Sequence, residues 1–211
     1  MNRSECTQRT EHWDTFYTQK MDTQVGWYQA DPATSFGLIE KVAPHRGRVI
    51  DIGGGTSRLP DKLLDHSYKA ITVLDISAAA VAKVKARLVE RATQIQWIVA
   101  DITEVSNLNE FGPFDVWHDR AVFHFLTEPA DRKHYVELAA RSLPARGHLI
   151  IGTFAPDAPP RCSGLDVCRY DATSLAAEFA PAFRAIDETS HMHITPSGKP
   201  QHFIFLTLVR V

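Results

Sequence analysis

Four acidic residues stand within or directly after apolar runs: Asp51 in Val49-Ile50-Asp51-Ile52, Asp75 after Ile71-Thr72-Val73-Leu74, Asp101 after Ile98-Val99-Ala100, and Asp119 after Val116-Trp117-His118. Gly53, Gly54 and Gly55 follow the first of them. A strand that runs into glycines makes a tight turn, where the backbone can take φ > 0 and a ligand meets no Cβ. Carboxylates at strand ends accept hydrogen bonds from hydroxyls and amines. Together these residues suit a nucleotide-like ligand. A dinucleotide site requires G-x-G-x-x-G, so that a helix N-terminus faces a pyrophosphate. Read from Gly53, the last glycine of that pattern is replaced by Arg58. Asp51 would also bring negative charge to a pyrophosphate. The same carboxylate suits a ligand with a cationic amino-acid end and no phosphate.

The elements that position these residues follow from apolar spacing. Strands are expected at Arg48–Ile52, Ala70–Leu74, Ile95–Ala100, Phe114–His118 and His148–Gly152. A terminal hairpin is expected from 184–194 and 201–210, joined by the turn 195–200. Thr10 is expected to cap a helix carrying Trp13, Phe16 and Tyr17 on one face. Phe36, Ile39 and Val42 predict a helix that ends before Pro44. Ser57 is placed to cap a helix with Pro60 in its first turn, and Ser77 to open one with Val81, Val84 and Leu88 facing inward. Residues 131–143 form another, and Asp171 caps a short one containing Leu175 and Phe179. Alternating strands and helices imply an α/β, doubly wound parallel sheet, made antiparallel at one edge by the C-terminal hairpin. Ligands of such sheets bind outside the carboxyl ends of the strands, where the strand order reverses.

At 211 residues the chain reads as a single domain, 1–211, with a flexible tail over 1–9 and a lid segment over 10–45. With 44% hydrophobic and 23% charged residues and a net charge of −2, it has no overall basic footprint for nucleic acid. No apolar run is long enough to span a membrane, and the first ten residues carry no signal-peptide core. Three cysteines, Cys6, Cys162 and Cys168, make no disulfide framework and fit a reduced, cytoplasmic setting.

The segment Asp51-Ile52-Gly53-Gly54-Gly55-Thr56-Ser57 resembles the first motif of the class I S-adenosylmethionine (SAM)-dependent methyltransferases, with Ser57 in place of a third glycine. The resemblance extends over nearly the whole domain. It implies a seven-stranded Rossmann-like methyltransferase sheet, SAM as cofactor, and contact of the Gly53–Gly55 backbone with the methionine part. It implies that Asp75, about 20 residues beyond Gly55, accepts from both ribose hydroxyls. Ile76 would pack on adenine, and Asp101 would accept from the adenine amino group beside the Ile102 backbone. His12-Trp13-Asp14, Tyr17 and Gly26-Trp27-Tyr28 resemble a subgroup of small bacterial enzymes and some protein-lysine methyltransferases. By that likeness Trp13 and Tyr17 cover SAM, and Arg120 touches it. Other readings stand beside these: Trp13 and Trp27 could belong to a lid or to the core, Asp101 could cap the next segment, and Arg120 could pair with Asp119 or Asp115.

Methyl transfer from a sulfonium is an in-line displacement that requires alignment and exclusion of water, and a base only where the acceptor must lose a proton. His118, Arg120 and His124 are the candidates on the acceptor side. The acceptor pocket is expected from segments 12–29, 118–125, 155–170 and 191–201. An Asn-Pro-Pro-Tyr run and a Pro-Cys nucleophile are absent, as is a basic stretch interleaved with aromatics. A small-molecule acceptor is therefore expected. The alternatives are a protein lysine or a SAM-binding module without turnover. Cys162, Cys168, His191 and His193 match no familiar zinc spacing, so no metal is expected.

Overall fold

The apolar runs assemble into one seven-stranded sheet in the computed structural model, which describes residues 3–211. The strands are β1 (Val49–Ile52), β2 (Ile71–Asp75), β3 (Ile95–Val99), β4 (Val116–Arg120), β5 (His148–Phe154), β8 (Phe183–Ile194) and β9 (Pro200–Arg210). Between β5 and β8 lies a two-stranded hairpin, β6 (Arg161–Cys162) and β7 (Leu165–Asp166), inside segment 155–170. The helices are α1 (Arg3–Gln19), α2 (Ala33–Val42), α3 (Leu59–Asp65), α4 (Ala78–Leu88), α5 (Pro129–Ser142) and α6 (Ala172–Phe179). The sheet order is β3-β2-β1-β4-β5-β9-β8. The first five strands are parallel, and β9 runs antiparallel to both β5 and β8. The order reverses between β1 and β4, which puts the expected ligand crevice over their carboxyl ends.

Side chains alternate between the two faces of each strand. Ile50, Ile52, Trp117, Leu149 and Ile151 pack with Leu138, Leu175 and Phe179 of α5 and α6. Val49, Val73, Val116 and Ile150 pack with Ile39, Leu63 and Val84 of α2, α3 and α4. This alternation sorts the polar residues as well. Asp51, Asp75, His118 and Arg120 share the α2–α4 face, whereas Asp119 shares the α5–α6 face with Trp117.

Several expected boundaries shift. Arg3 opens α1, so residues 3–9 are helix and not tail; residues 1 and 2 lie outside the described part. The reason is tertiary: Arg9 pairs with Asp101 and Asp131. Thr10 is consequently inside the helix, its hydroxyl donating to Cys6 O at 3.1 Å, and caps nothing. β4 starts two residues later than expected and ends at Arg120. Phe114 is buried against α5, and the Asp115 carboxylate accepts from Arg48 N at 2.7 Å, ahead of the first strand pair Val49–Val116. Ser57 stays outside α3 but still accepts from Leu59 N at 3.0 Å, while Arg58 occupies the N-cap position. Among the described residues no helix is long and apolar enough to cross a membrane.

Candidate active site

A cleft of about 790 Å³, mouth included, lies over the carboxyl ends of β1, β2 and β4. Gly53, Asp75, Ile76, Asp101 and Ile102 line it from the sheet side; Trp13, Tyr17 and Trp27 line it from the N-terminal segment; Arg120, Val122 and Phe125 line it from the β4 turn. Trp13 and Trp27 touch edge to face at 5.8 Å, and Trp13 meets Phe125 at 5.2 Å. The roof is tied down by its own polar groups. Asp14 accepts from Ser77 Oγ at 2.6 Å and Ala79 N at 3.1 Å at the start of α4.

Asp75 is 4% exposed. Gly55 N donates to its Oδ2 at 2.6 Å and Ser77 N to its Oδ1 at 2.8 Å. Burial pushes its pKa up to about 6 against the pull of those two bonds. Asp101 accepts from Thr103 N and Oγ1 on one oxygen and from Arg9 Nε at 2.8 Å on the other. The glycine turn fits closely under the roof. Gly55 has φ +48°, and a Cβ there would stand 2.4 Å from Tyr17 Oη. Gly55→Ala combines left-handed backbone strain of about 1–2 kcal/mol with displacement of Tyr17. Its thermal midpoint is expected to fall by about 3–8 °C, read from a melting curve.

A second, smaller cavity shares Gly53, Trp27 and Arg120 with the first. Asp51, Gly54, Ser57, His118 and Gln29 line it. Asp51 Oδ1 and His118 Nδ1 are 2.7 Å apart, and both residues are buried. Asp51 Oδ2 and His118 Nε2 are buried without a partner. A carboxylate beside Nδ1 favours the tautomer with the proton there, which leaves a lone pair on Nε2. Arg120 donates through Nη1 to Trp27 O at 3.0 Å, and its Nε and Nη2 have no partner.

Most of the expected site residues line one of these cavities; Gly55 lines neither but donates its N–H to Asp75, and two further residues stand apart. His124 is buried between Phe125 and Phe154 and lines neither cavity. Burial first, and Arg120 second, push its pKa down to about 3, so it is a poor base. Asp119 also lines neither; it accepts from Val122 N, Phe123 N and Tyr135 Oη on the opposite face. On the acceptor side, segments 12–29 and 118–125 contribute lining residues to the two cavities; 155–170 contributes none, and 191–201 buttresses the loop between α1 and α2. His193 Nε2 lies 2.8 Å from Gly26 O, and His191 meets Thr34 and Gln29. Arg9, Val122, Phe125 and Leu126 also line the main cleft. Arg9 sits in a polar stretch without periodicity, so nothing in the sequence marked it.

Residues 49–147 match the family model described as a methyltransferase domain. Just under half of the chain therefore matches a methyltransferase domain, and the fold around it is that of solved SAM-dependent methyltransferases. Among curated proteins it is 26% identical over 140 residues to the eEF1A lysine and N-terminal methyltransferase of Danio rerio, covering 66% of this chain but only 19% of that protein. It is 24% identical over 196 residues to EEF1A lysine methyltransferase 2 of Mus musculus, covering 84% of this chain and 72% of that one. Among solved structures, one described by the conversion of a disulfide bond into a thioacetal group during echinomycin biosynthesis superposes with a TM-score of 0.76 at 18% identity, covering 95% of this chain and 91% of that chain. The N-methyltransferase NodS of Bradyrhizobium japonicum WM9, in complex with S-adenosyl-L-homocysteine, gives 0.69 at 15% identity, over 94% and 98%. At these identities the structural likenesses describe the fold.

Proposed function

We propose that this protein transfers a methyl group from SAM to a small-molecule acceptor. The observation that carries this reading is the cover: α1 and the loop that follows it close the carboxyl ends of β1, β2 and β4 under Trp13, Tyr17 and Trp27. A small acceptor can be enclosed there with water excluded, as in-line displacement requires. Asp75 is assigned to the ribose hydroxyls, Ile76 to the adenine face, and Asp101 with Ile102 to the adenine edge. Gly53, Gly54 and Gly55 are assigned to the methionine chain, and Asp51 Oδ2 to its ammonium. Trp13 and Tyr17 cover the cofactor, and Arg120 stands at the junction of the two cavities. When bound, SAM supplies an activated methyl group on a sulfonium that leaves as a neutral thioether. His118, with its tautomer set by Asp51, is the candidate to receive a proton from an acceptor that must lose one.

The curated relatives favour a second reading, transfer to a protein lysine. Two measurements separate the readings. Calorimetry should show binding of SAM and S-adenosylhomocysteine and none of NAD; NAD binding alone would overturn the class of cofactor. Methyl-labelled SAM should then mark a product in the low-mass fraction of a cell extract. Label confined to protein would establish the lysine reading, and no label in either fraction would leave a SAM-binding module without turnover.

A further inference from the structure

Arg120 is held at the junction of the two cavities with part of its guanidinium unused. Nη1 donates to Trp27 O, and the guanidinium carbon lies 4.7 Å from the centre of the Phe203 ring. Nε and Nη2 are buried without a partner. These two nitrogens form the side-on edge of a guanidinium, and their parallel N–H bonds match the two oxygens of a carboxylate. Buried donors of this kind are costly to leave unmet. The acids within sequence reach are committed elsewhere. Asp115 accepts from Arg48 N, and Asp119 points to the other face of the sheet. Asp51 faces Arg120 across the small cavity, but its Oδ1 is taken by His118 Nδ1 and it makes no ion pair with the guanidinium. Burial holds His191 and His193 towards their neutral forms, and Arg120 adds to that push.

We propose that the free edge of Arg120 holds a carboxylate of the methyl acceptor, which makes the acceptor a small organic acid. This rests on the methyltransferase reading above and narrows it. A carboxylate at this position could also be that of the cofactor's methionine. Asp51 and Gly53 of the methionine side line the same small cavity, so the test below separates the two sources; the supports of the side chain favour the acceptor. Arg120 lies on β4, across β1 from Asp75 and Asp101, and its supports are Trp27 of the roof and Phe203 of β9. A lysine ammonium brought to the same wall would meet a guanidinium that makes no ion pair among the described residues, so the feature also weighs against a protein-lysine acceptor.

The test uses the complex with S-adenosylhomocysteine and three probe pairs: acetate, hexanoate and benzoate, each beside its uncharged amide. Calorimetry on the wild-type complex should show at least one carboxylate binding tenfold or more tighter than its amide. Arg120→Gln should remove that preference while changing S-adenosylhomocysteine affinity by less than tenfold. Arg120→Lys, which keeps the charge but loses the paired edge, should retain only part of the preference, and it carries the test if the Gln variant does not fold. Absence of a preference in all three pairs overturns the proposal. A loss of tenfold or more in S-adenosylhomocysteine affinity, with 5′-methylthioadenosine binding unchanged, also overturns it, because the edge then belongs to the cofactor's carboxylate. Failure of the wild-type protein to bind S-adenosylhomocysteine would defeat the methyltransferase reading itself, and the proposal with it.

Discussion

Asp75→Asn is expected to weaken S-adenosylhomocysteine binding by about two orders of magnitude. Each carboxylate oxygen already accepts one backbone N–H, from Gly55 and Ser77, and keeps further lone pairs for the cleft. Hydrogen bonds to a charged group are worth about 1.5–3 kcal/mol each. An amide keeps one acceptor oxygen and turns an NH2 group towards a backbone donor. A loss of about 3 kcal/mol follows, or roughly 100-fold in affinity. The same residue sets a pH dependence. Its pKa stands at about 6, with burial the first cause and the charges of Asp51 and Asp14 adding to it. Ribose hydroxyls bind the ionised form, so the dissociation constant should rise about tenfold per pH unit below about pH 6 and be flat above it. Stability runs the other way. A folded-state pKa above the unfolded value of 3.8 means that the folded chain holds a proton the unfolded chain has released. Stability therefore falls as pH rises from about 4 to about 6, then levels. Asp119, also raised to about 6, contributes its own share of that stability slope. The affinity slope is thus the diagnostic one: calorimetry across pH should show it in the wild-type protein and not in Asp75→Asn.

What the sequence disclosed depended on whether a residue's role was local. Asp51, Gly53, Gly55 and Asp75 belong to strands and turns written in consecutive residues, and their apolar runs put them at the carboxyl ends of β1 and β2, beside the switch between β1 and β4. Asp119 falls with the other strand-end acids only when its strand ends at His118. With β4 running to Arg120, period-two alternation sends Asp119 to the face opposite His118 and Arg120. Arg9 was invisible for a different reason. Its partners, Asp101 and Asp131, are 92 and 122 residues away, and no local pattern records a contact at that range. The choice between lid and core for Trp13 and Trp27 proves to be no choice. Both rings line the cleft, and both pack on the small cluster of Tyr17, Val25 and Ala80. The Asp51–His118 pair was hidden similarly, because two side chains meet across β1 and β4 only once the register Asp51–His118 is known.

Asp119→Ala is expected to be the most destabilising single change near the site, although the residue touches neither cavity. Its carboxylate is fully buried and takes three donors: Val122 N at 2.9 Å, Phe123 N at 3.1 Å and Tyr135 Oη at 2.7 Å. Tyr135 in turn accepts from Trp117 Nε1 at 2.8 Å. Leaving each buried donor unmet costs about 1–3 kcal/mol. Removing the carboxylate also removes its own burial penalty, the first cause of its raised pKa, which offsets part of that sum. A net loss of about 3 kcal/mol is expected, or a midpoint lower by about 6–12 °C for a domain of this size. Tyr135→Phe leaves the two backbone bonds intact and should cost about 1–2 kcal/mol. The carboxylate also fixes a turn that matters for the chemistry. Ala121 is held at φ +75° between Arg120 and Val122, a conformation a non-glycine residue keeps only when its surroundings enforce it. Below its midpoint, Asp119→Ala should therefore bind S-adenosylhomocysteine more weakly than Tyr135→Phe, even after both are corrected for the fraction folded. Equal affinities in the two variants would show that the network supports the fold without setting the β4 turn.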